Sequence, residues 1–142
     1  MINVYVKTDN RDKTLAEFYK KCELALQIIG EKAEGYAKKN CPVDTGRLRN
    51  SITYATETKQ GKPNTSRGNE KSPPQDARPE DYAKRSNPPK RTCYIGTNVE
   101  YAPEQEFIDM SHTHGRAHFL RDAATTHGDE YSNIMEVTLK TD

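Results

Sequence analysis

Three histidines, His112, His114 and His118, crowd the stretch around Gly115, with Asp109 before them and His127 after. Imidazole nitrogens gathered this closely are the donor type for zinc or a related transition metal. Nothing orders them into a fixed helical pair, however, and no glutamate stands in an HExxH arrangement. They read as solvent-facing or interface side chains, with His112, His114 and His118 kept as candidate ligands. Asp44-Thr45-Gly46 spells the tripeptide in which aspartic proteases hold a catalytic carboxylate, two of which share one proton. In those enzymes the tripeptide lies inside an apolar, sheet-rich barrel. Here it follows a long amphipathic segment and Pro42, and it precedes Arg47-Leu48-Arg49. Asp44 therefore reads as a turn residue that bonds forward to backbone amides. No Gly-rich phosphate loop, nucleophile elbow or paired catalytic carboxylate occurs, so neither a catalytic residue nor a cofactor is expected.

The remaining chemistry is that of charge pairing. Arg47, Arg49, Arg116 and Arg121 carry the planar fork that suits bidentate contact with a carboxylate, and Glu100 and Glu106 are the expected partners across a subunit seam. The alternative is exposed ion pairs of little worth. Tyr94, Tyr101, Phe107 and Phe119 read as core or sheet-face aromatics.

These residues must be positioned by a chain of 142 residues, enough for one domain and one core. Only 32% of residues are hydrophobic, 30% are charged, and tryptophan is absent, so a monomer has little apolar surface to bury and oligomerisation would relieve the shortage. A net charge of +1 argues against a domain that holds nucleic acid by bulk charge. Cys22, Cys41 and Cys93 fit neither a disulfide framework nor a paired CxxC site and are expected to be free thiols. No apolar run approaches a membrane span, and Met1 to Val6 lacks the apolar core of a signal peptide. A soluble protein made in a reducing cytoplasm is the expectation.

Alternation over Ile2, Val4 and Val6 predicts a strand, followed by a turn over Asp9 to Lys13. Thr14 and Glu17 have capping-box spacing, so a helix is expected to begin there. Leu15, Phe18, Cys22, Ala25, Leu26, Ile29, Ala33, Tyr36 and Ala37 draw one apolar stripe along it. Gly30 and Gly35 weaken that helix, and close packing against a neighbour would explain them. Pro42 ends the helix near Asn40, Gly46 allows a reversal, and Leu48 to Ile52 then begins the return to the apolar surface. A second strand is expected over Ile52 to Thr58. From Lys59 to Arg91 the apolar signal disappears: six prolines and a surplus of charge, nine Lys or Arg against four acids, predict a long flexible excursion with a net charge of +5. A strand over Thr92 to Thr97, a short helix over Glu104 to Met110, a loop from Ser111 to His118 and a helix from Asp122 to about Met135 follow. Glu136 to Lys140 fits either a continued helix or a last strand.

Three blocks, in this order, carry a family resemblance: Cys41-Pro42-Val43-Asp44-Thr45-Gly46-Arg47-Leu48-Arg49-Asn50-Ser51-Ile52; Tyr94 to Pro103 with Glu106-Phe107; and Arg116-Ala117-His118-Phe119-Leu120-Arg121. In combination they resemble the head-tail joining, or neck, proteins of long-tailed bacteriophages, the gene-ten-like group named after phage Hong Kong ninety-seven, also described as tail-completion or minor tail components. The resemblance implies structural or interface roles for Asp44, Thr45, Gly46, Leu48, Arg49, Tyr101, Glu106, Phe119, Leu120 and Arg121. It further implies a ring-forming homo-oligomer in the virion neck, assembled in the host bacterial cytoplasm. The implied partners are head-completion or connector proteins and tail-terminator proteins, with no membrane, and the basic excursion faces a neighbouring ring, faces DNA in the channel, or serves as a tether.

Together the expectation is a single α+β domain over 1–142. A mainly antiparallel sheet of three to four strands is packed by one long N-terminal helix and a shorter C-terminal helix, and 59–91 forms a polar, mobile insertion between central strands. The competing reading is a small metal- or nucleic-acid-binding protein built on His112, His114 and His118 and the basic 59–91 segment.

Overall fold

The structure, a computed structural model, describes residues 2–3, 11–42, 47–60, 81, 89–108 and 115–141. Its longest element is helix α1, Arg11–Asn40, about 45 Å of proline-free chain. Asp12 in its first turn and Lys38 and Lys39 in its last complement the helix dipole. The helix starts ahead of the Thr14 and Glu17 pair, so those residues lie inside it and the turn expected to continue to Lys13 has ended by Arg11. It stops at Asn40, where Pro42 requires it to, and the Asn40 carbonyl accepts the Arg116 amide at 2.9 Å.

The apolar stripe of α1 is divided by residue size. Its buried members, Cys22, Ala25, Gly30, Ala33 and Ala37, are all small. Leu15 and Phe18, expected in the core, are instead 49% and 46% exposed. Small side chains let the rest of the chain approach the α1 backbone closely, and the core forms at the carboxyl half of the helix. There Ala37 and Cys41 pack with Leu48, Ile52, Val99, Ala102, Phe119 and Ala123.

The return after α1 is helical. Residues Arg47–Ser51 form the short helix α2, burying Leu48, Asn50 and Ser51, just ahead of the strand expected from Ile52. Strand β1, Thr53–Ala55, pairs antiparallel with β2, Tyr94–Gly96, in the register Thr53 to Gly96, Tyr54 to Ile95 and Ala55 to Tyr94. Both are shorter than the expected runs. Among the described residues the sheet has these two strands, in place of the three or four expected, and most of the expected amino-terminal strand lies outside the described residues.

Gly30 explains how closely α1 meets this sheet. A Cβ built there would stand 2.6 Å from Tyr54 Cδ2 and 2.8 Å from Cys93 Sγ, whereas one at Gly35 would meet nothing within 4 Å. Gly30→Ala should therefore lose more by overpacking, about 1 to 3 kcal/mol, than the helix gains in propensity, about 1 kcal/mol. Gly35→Ala takes only the gain. Opposite signs in urea unfolding check the assignment, and stabilisation by both substitutions would refute the close contact.

Helix α3, Ala102–Phe107, carries Pro103 in its first turn and ends at Ile108 in an extended conformation, earlier than the Met110 expected. The single C-terminal helix expected from Asp122 is two helices, α4 over Phe119–Thr125 and α5 over Gly128–Lys140. His127, in a non-helical conformation, separates them, and the Glu136 to Lys140 tail is helical. The start of α5 docks on α1: Tyr36 donates to Glu130, Lys32 approaches the same carboxylate at 3.5 Å, and the Tyr36 and His127 rings stack at 3.5 Å. Tyr131 donates its hydroxyl hydrogen to the Ala123 carbonyl, tying α5 to α4. No described helix is long and apolar enough to cross a membrane.

Candidate functional site

The residues of the three sequence blocks converge at the carboxyl end of α1. Leu48 on α2, Ala102 on α3 and Phe119 on α4 enter one apolar cluster, Phe119 with no exposed surface, and Tyr101 and Leu120 pack half-buried against it. Cys41 belongs to the same cluster. Burial pushes its thiol up to about 12, with the Glu106 carboxylate adding to the rise and Arg49 opposing it, so the thiol stays protonated and unreactive. Cys93 is likewise raised to about 11 by burial.

Around this cluster are two polar constructions. In the first, Arg47 at the start of α2 donates from Nε and Nη2 to the two carboxylate oxygens of Asp81 at 2.9 and 2.7 Å. It also donates from Nη1 and Nη2 to Glu100 at 3.0 and 3.1 Å. The Arg47 guanidinium lies 5.8 Å from the centre of the Tyr101 ring. The hydrogen bonds to Asp81, then those to Glu100, hold the guanidinium still more firmly protonated, and Arg47 in turn lowers the Glu100 carboxyl below its usual range. Asp81 is 1% exposed and accepts the Asn98 amide on its backbone carbonyl. Arg47 and Glu100 thus pair within one chain, with Glu100 at the exposed edge, which is closer to the exposed pair than to the subunit seam among the two readings of the sequence.

In the second, Glu106 of α3 is buried, and its two carboxylate oxygens accept the amides of Leu120 at 2.9 Å and Arg121 at 3.0 Å. Those are two of the free amides of the first turn of α4, so Glu106 acts as a cap supplied from a different helix. The Glu106 carbonyl accepts the His118 amide as well, at 2.8 Å. His118 at the start of α4 holds a left-handed φ of 60°, and its own side chain makes no capping bond. Gly115, at φ 83°, passes so close to the end of α1 that a Cβ would stand 2.5 Å from the Cys41 carbonyl. Only glycine fits that crossing. Arg116 and Arg121 project outward and both reach Asp122, at 3.2 and 3.3 Å.

Of the candidate residues, Asp44, Thr45, Gly46, His112 and His114 lie outside the described residues. The structure brings Leu48, Tyr101, Phe119 and Leu120 to one core, gives Glu106 to the α4 cap, and leaves Arg121 60% exposed. Asp81 was missed, being read as part of the polar excursion. Its only signal in the sequence is indirect: Arg47, next to the buried Leu48, needs a carboxylate partner.

The site is therefore a junction of three chain segments, held by a salt-bridged arginine and a carboxylate cap. No curated protein and no solved structure matches the chain. The sequence pattern of the bacteriophage HK97-gp10 tail-component family does match, over residues 8–107, from just before α1 through α3. That span covers most of the chain and holds the first two sequence blocks, with Arg47, Asp81, Glu100 and Glu106 all inside it. The chain belongs to the HK97-gp10-like family of bacteriophage tail components.

Proposed function

We propose that this protein is a structural component of the phage neck that helps join the DNA-filled head to the tail. The observation that carries the reading is the family match over residues 8–107. The architecture is compatible with it, because the family blocks meet in one core at the carboxyl end of α1, and the sheet and α5 pack along that helix. In this role the chain assembles in the host cytoplasm, associates with copies of itself in a ring, and contacts head-completion or connector proteins on one side and tail-terminator proteins on the other. The basic 59–91 segment faces a neighbouring ring or the DNA channel.

A phage lacking this gene should accumulate filled heads and free tails, and electron microscopy of the lysate should show them unjoined. Infectious particles should return when the gene is supplied in trans. Normal tailed particles without the gene would overturn the reading.

A further inference from the structure

Two exposed features of the molecule have complementary chemistry. The first is a hole. Between α1 and the turn after β1 lies a cavity of about 600 Å³, walled by Tyr19, Leu24, Gln27 and Thr58 and edged on α1 by Lys20 and Lys21. Leu24 is 53% exposed within it. The carboxylate of Glu23 on the same wall is engaged by the hydroxyls of Thr56 and Thr58 and the amide of Gln27. Glu57 stands across the cavity, so the positive edge is that of α1.

The second feature is a knob. Phe107 and Ile108 at the end of α3 are 72% and 51% exposed, side by side, where neighbouring apolar residues of this chain enter the core. Glu104 lies one turn earlier on α3, and the Glu100 side chain is 71% exposed nearby in sequence. A large apolar pair with a carboxylate one turn before it, Glu104, is the counterpart of an apolar hole edged by lysines. The knob cannot fill the hole of its own chain. The α3 helix is tied to the carboxyl end of α1 through the Glu106 and Arg116 bonds, and Leu24 lies about 24 Å back along that helix from Asn40.

We propose that Phe107 and Ile108 of one copy insert into the α1 cavity of the next, with Lys20 and Lys21 facing Glu104 across the contact. A knob and a hole on different faces make a heterologous contact, which propagates head to tail and closes into a ring when the rotation allows. The proposal rests on the self-association in the reading above and names its two surfaces.

The test uses the full chain with Phe107→Asp and Leu24→Asp, both at exposed positions, with circular dichroism and thermal unfolding confirming that each variant keeps its fold. Native mass spectrometry and analytical ultracentrifugation should show oligomers for the unaltered protein and monomers for each variant alone. Mixing the two variants should give a one-to-one dimer and stop there, because Phe107→Asp keeps its hole, Leu24→Asp keeps its knob, and the complex they form has neither left. The Lys20→Glu, Lys21→Glu double variant should weaken association about tenfold or more, and the difference should shrink as salt rises. A monomeric unaltered protein, oligomers that survive both aspartate substitutions, or a mixture that stays monomeric would each overturn the contact. A small molecule filling the cavity without changing the oligomer would do so too. A monomeric unaltered protein would also remove self-association from the reading above, whereas the other results leave the neck assignment untouched; that assignment fails separately if the phage without the gene still joins heads to tails.

Discussion

Replacing Arg47 by Leu should lower the free energy of unfolding by about 3 to 5 kcal/mol, because it takes from the buried Asp81 carboxylate the guanidinium that donates to both of its oxygens. The side chain of Asp81 is almost wholly enclosed, and Arg47 supplies both of its carboxylate hydrogen bonds described above. Asp81→Ala should cost less, since Arg47 retains Glu100 and reaches solvent with part of its surface. Combining the two should recover stability relative to Arg47→Leu alone, because the buried carboxylate is gone. Urea unfolding of the four proteins gives the cycle. An Arg47→Leu variant within about 0.5 kcal/mol of the parent, the range of ordinary surface changes, would mean that the pair contributes nothing. The same cycle bears on the 59–91 segment. From its composition alone, exchanging 61–89 for a short Gly-Ser linker looks nearly free in stability. Such an exchange removes Asp81, however, and so carries at least the cost of Asp81→Ala.

That contrast marks where the sequence was readable. The end of α1 was fixed by Pro42, and the antiparallel pairing of β1 with β2 agrees with reading the excursion between them as a lengthened hairpin loop. These are local effects, written into neighbouring residues. The start of α1 at Arg11 and the helical α2 were not readable, because the Thr14 and Glu17 pair and the Leu48 to Ile52 spacing fit more than one local structure, and tertiary contacts decide between them. Leu15 and Phe18 belong to the same helical stripe as Ala33, and periodicity gave no warning that the core would stop short of them. The candidate site divided the same way. Leu48 and Phe119 were apolar residues in motif positions and became core, whereas the partners of Glu106 and Arg47 depend on which distant segments meet. Glu106 was expected to face arginine side chains and instead holds backbone amides, one of them belonging to Arg121.

That capping arrangement carries the second large expectation. Glu106→Ala leaves the Leu120 and Arg121 amides without their acceptor at a partly buried helix start, and hydrogen bonds to a charged group contribute about 1.5 to 3 kcal/mol each. A loss of about 3 kcal/mol is expected, less than the sum of two bonds because water reaches part of the vacated site. Glu106→Gln keeps one acceptor oxygen and should lose roughly half as much, without the charge that favours a helix amino terminus. Hydrogen exchange separates this cause from mere loss of packing. The Leu120 and Arg121 amides should exchange much faster in Glu106→Ala, while amides in the middle of α1 change only as far as global stability falls. Uniform acceleration across the chain, with no excess at those two positions, would show that Glu106 acts through burial alone. A local excess would show that the Glu106 carboxylate holds the start of α4. It would also explain how a carboxylate comes to lie 5% exposed among apolar side chains: its charge is held by the amides of the helix that Phe119 anchors.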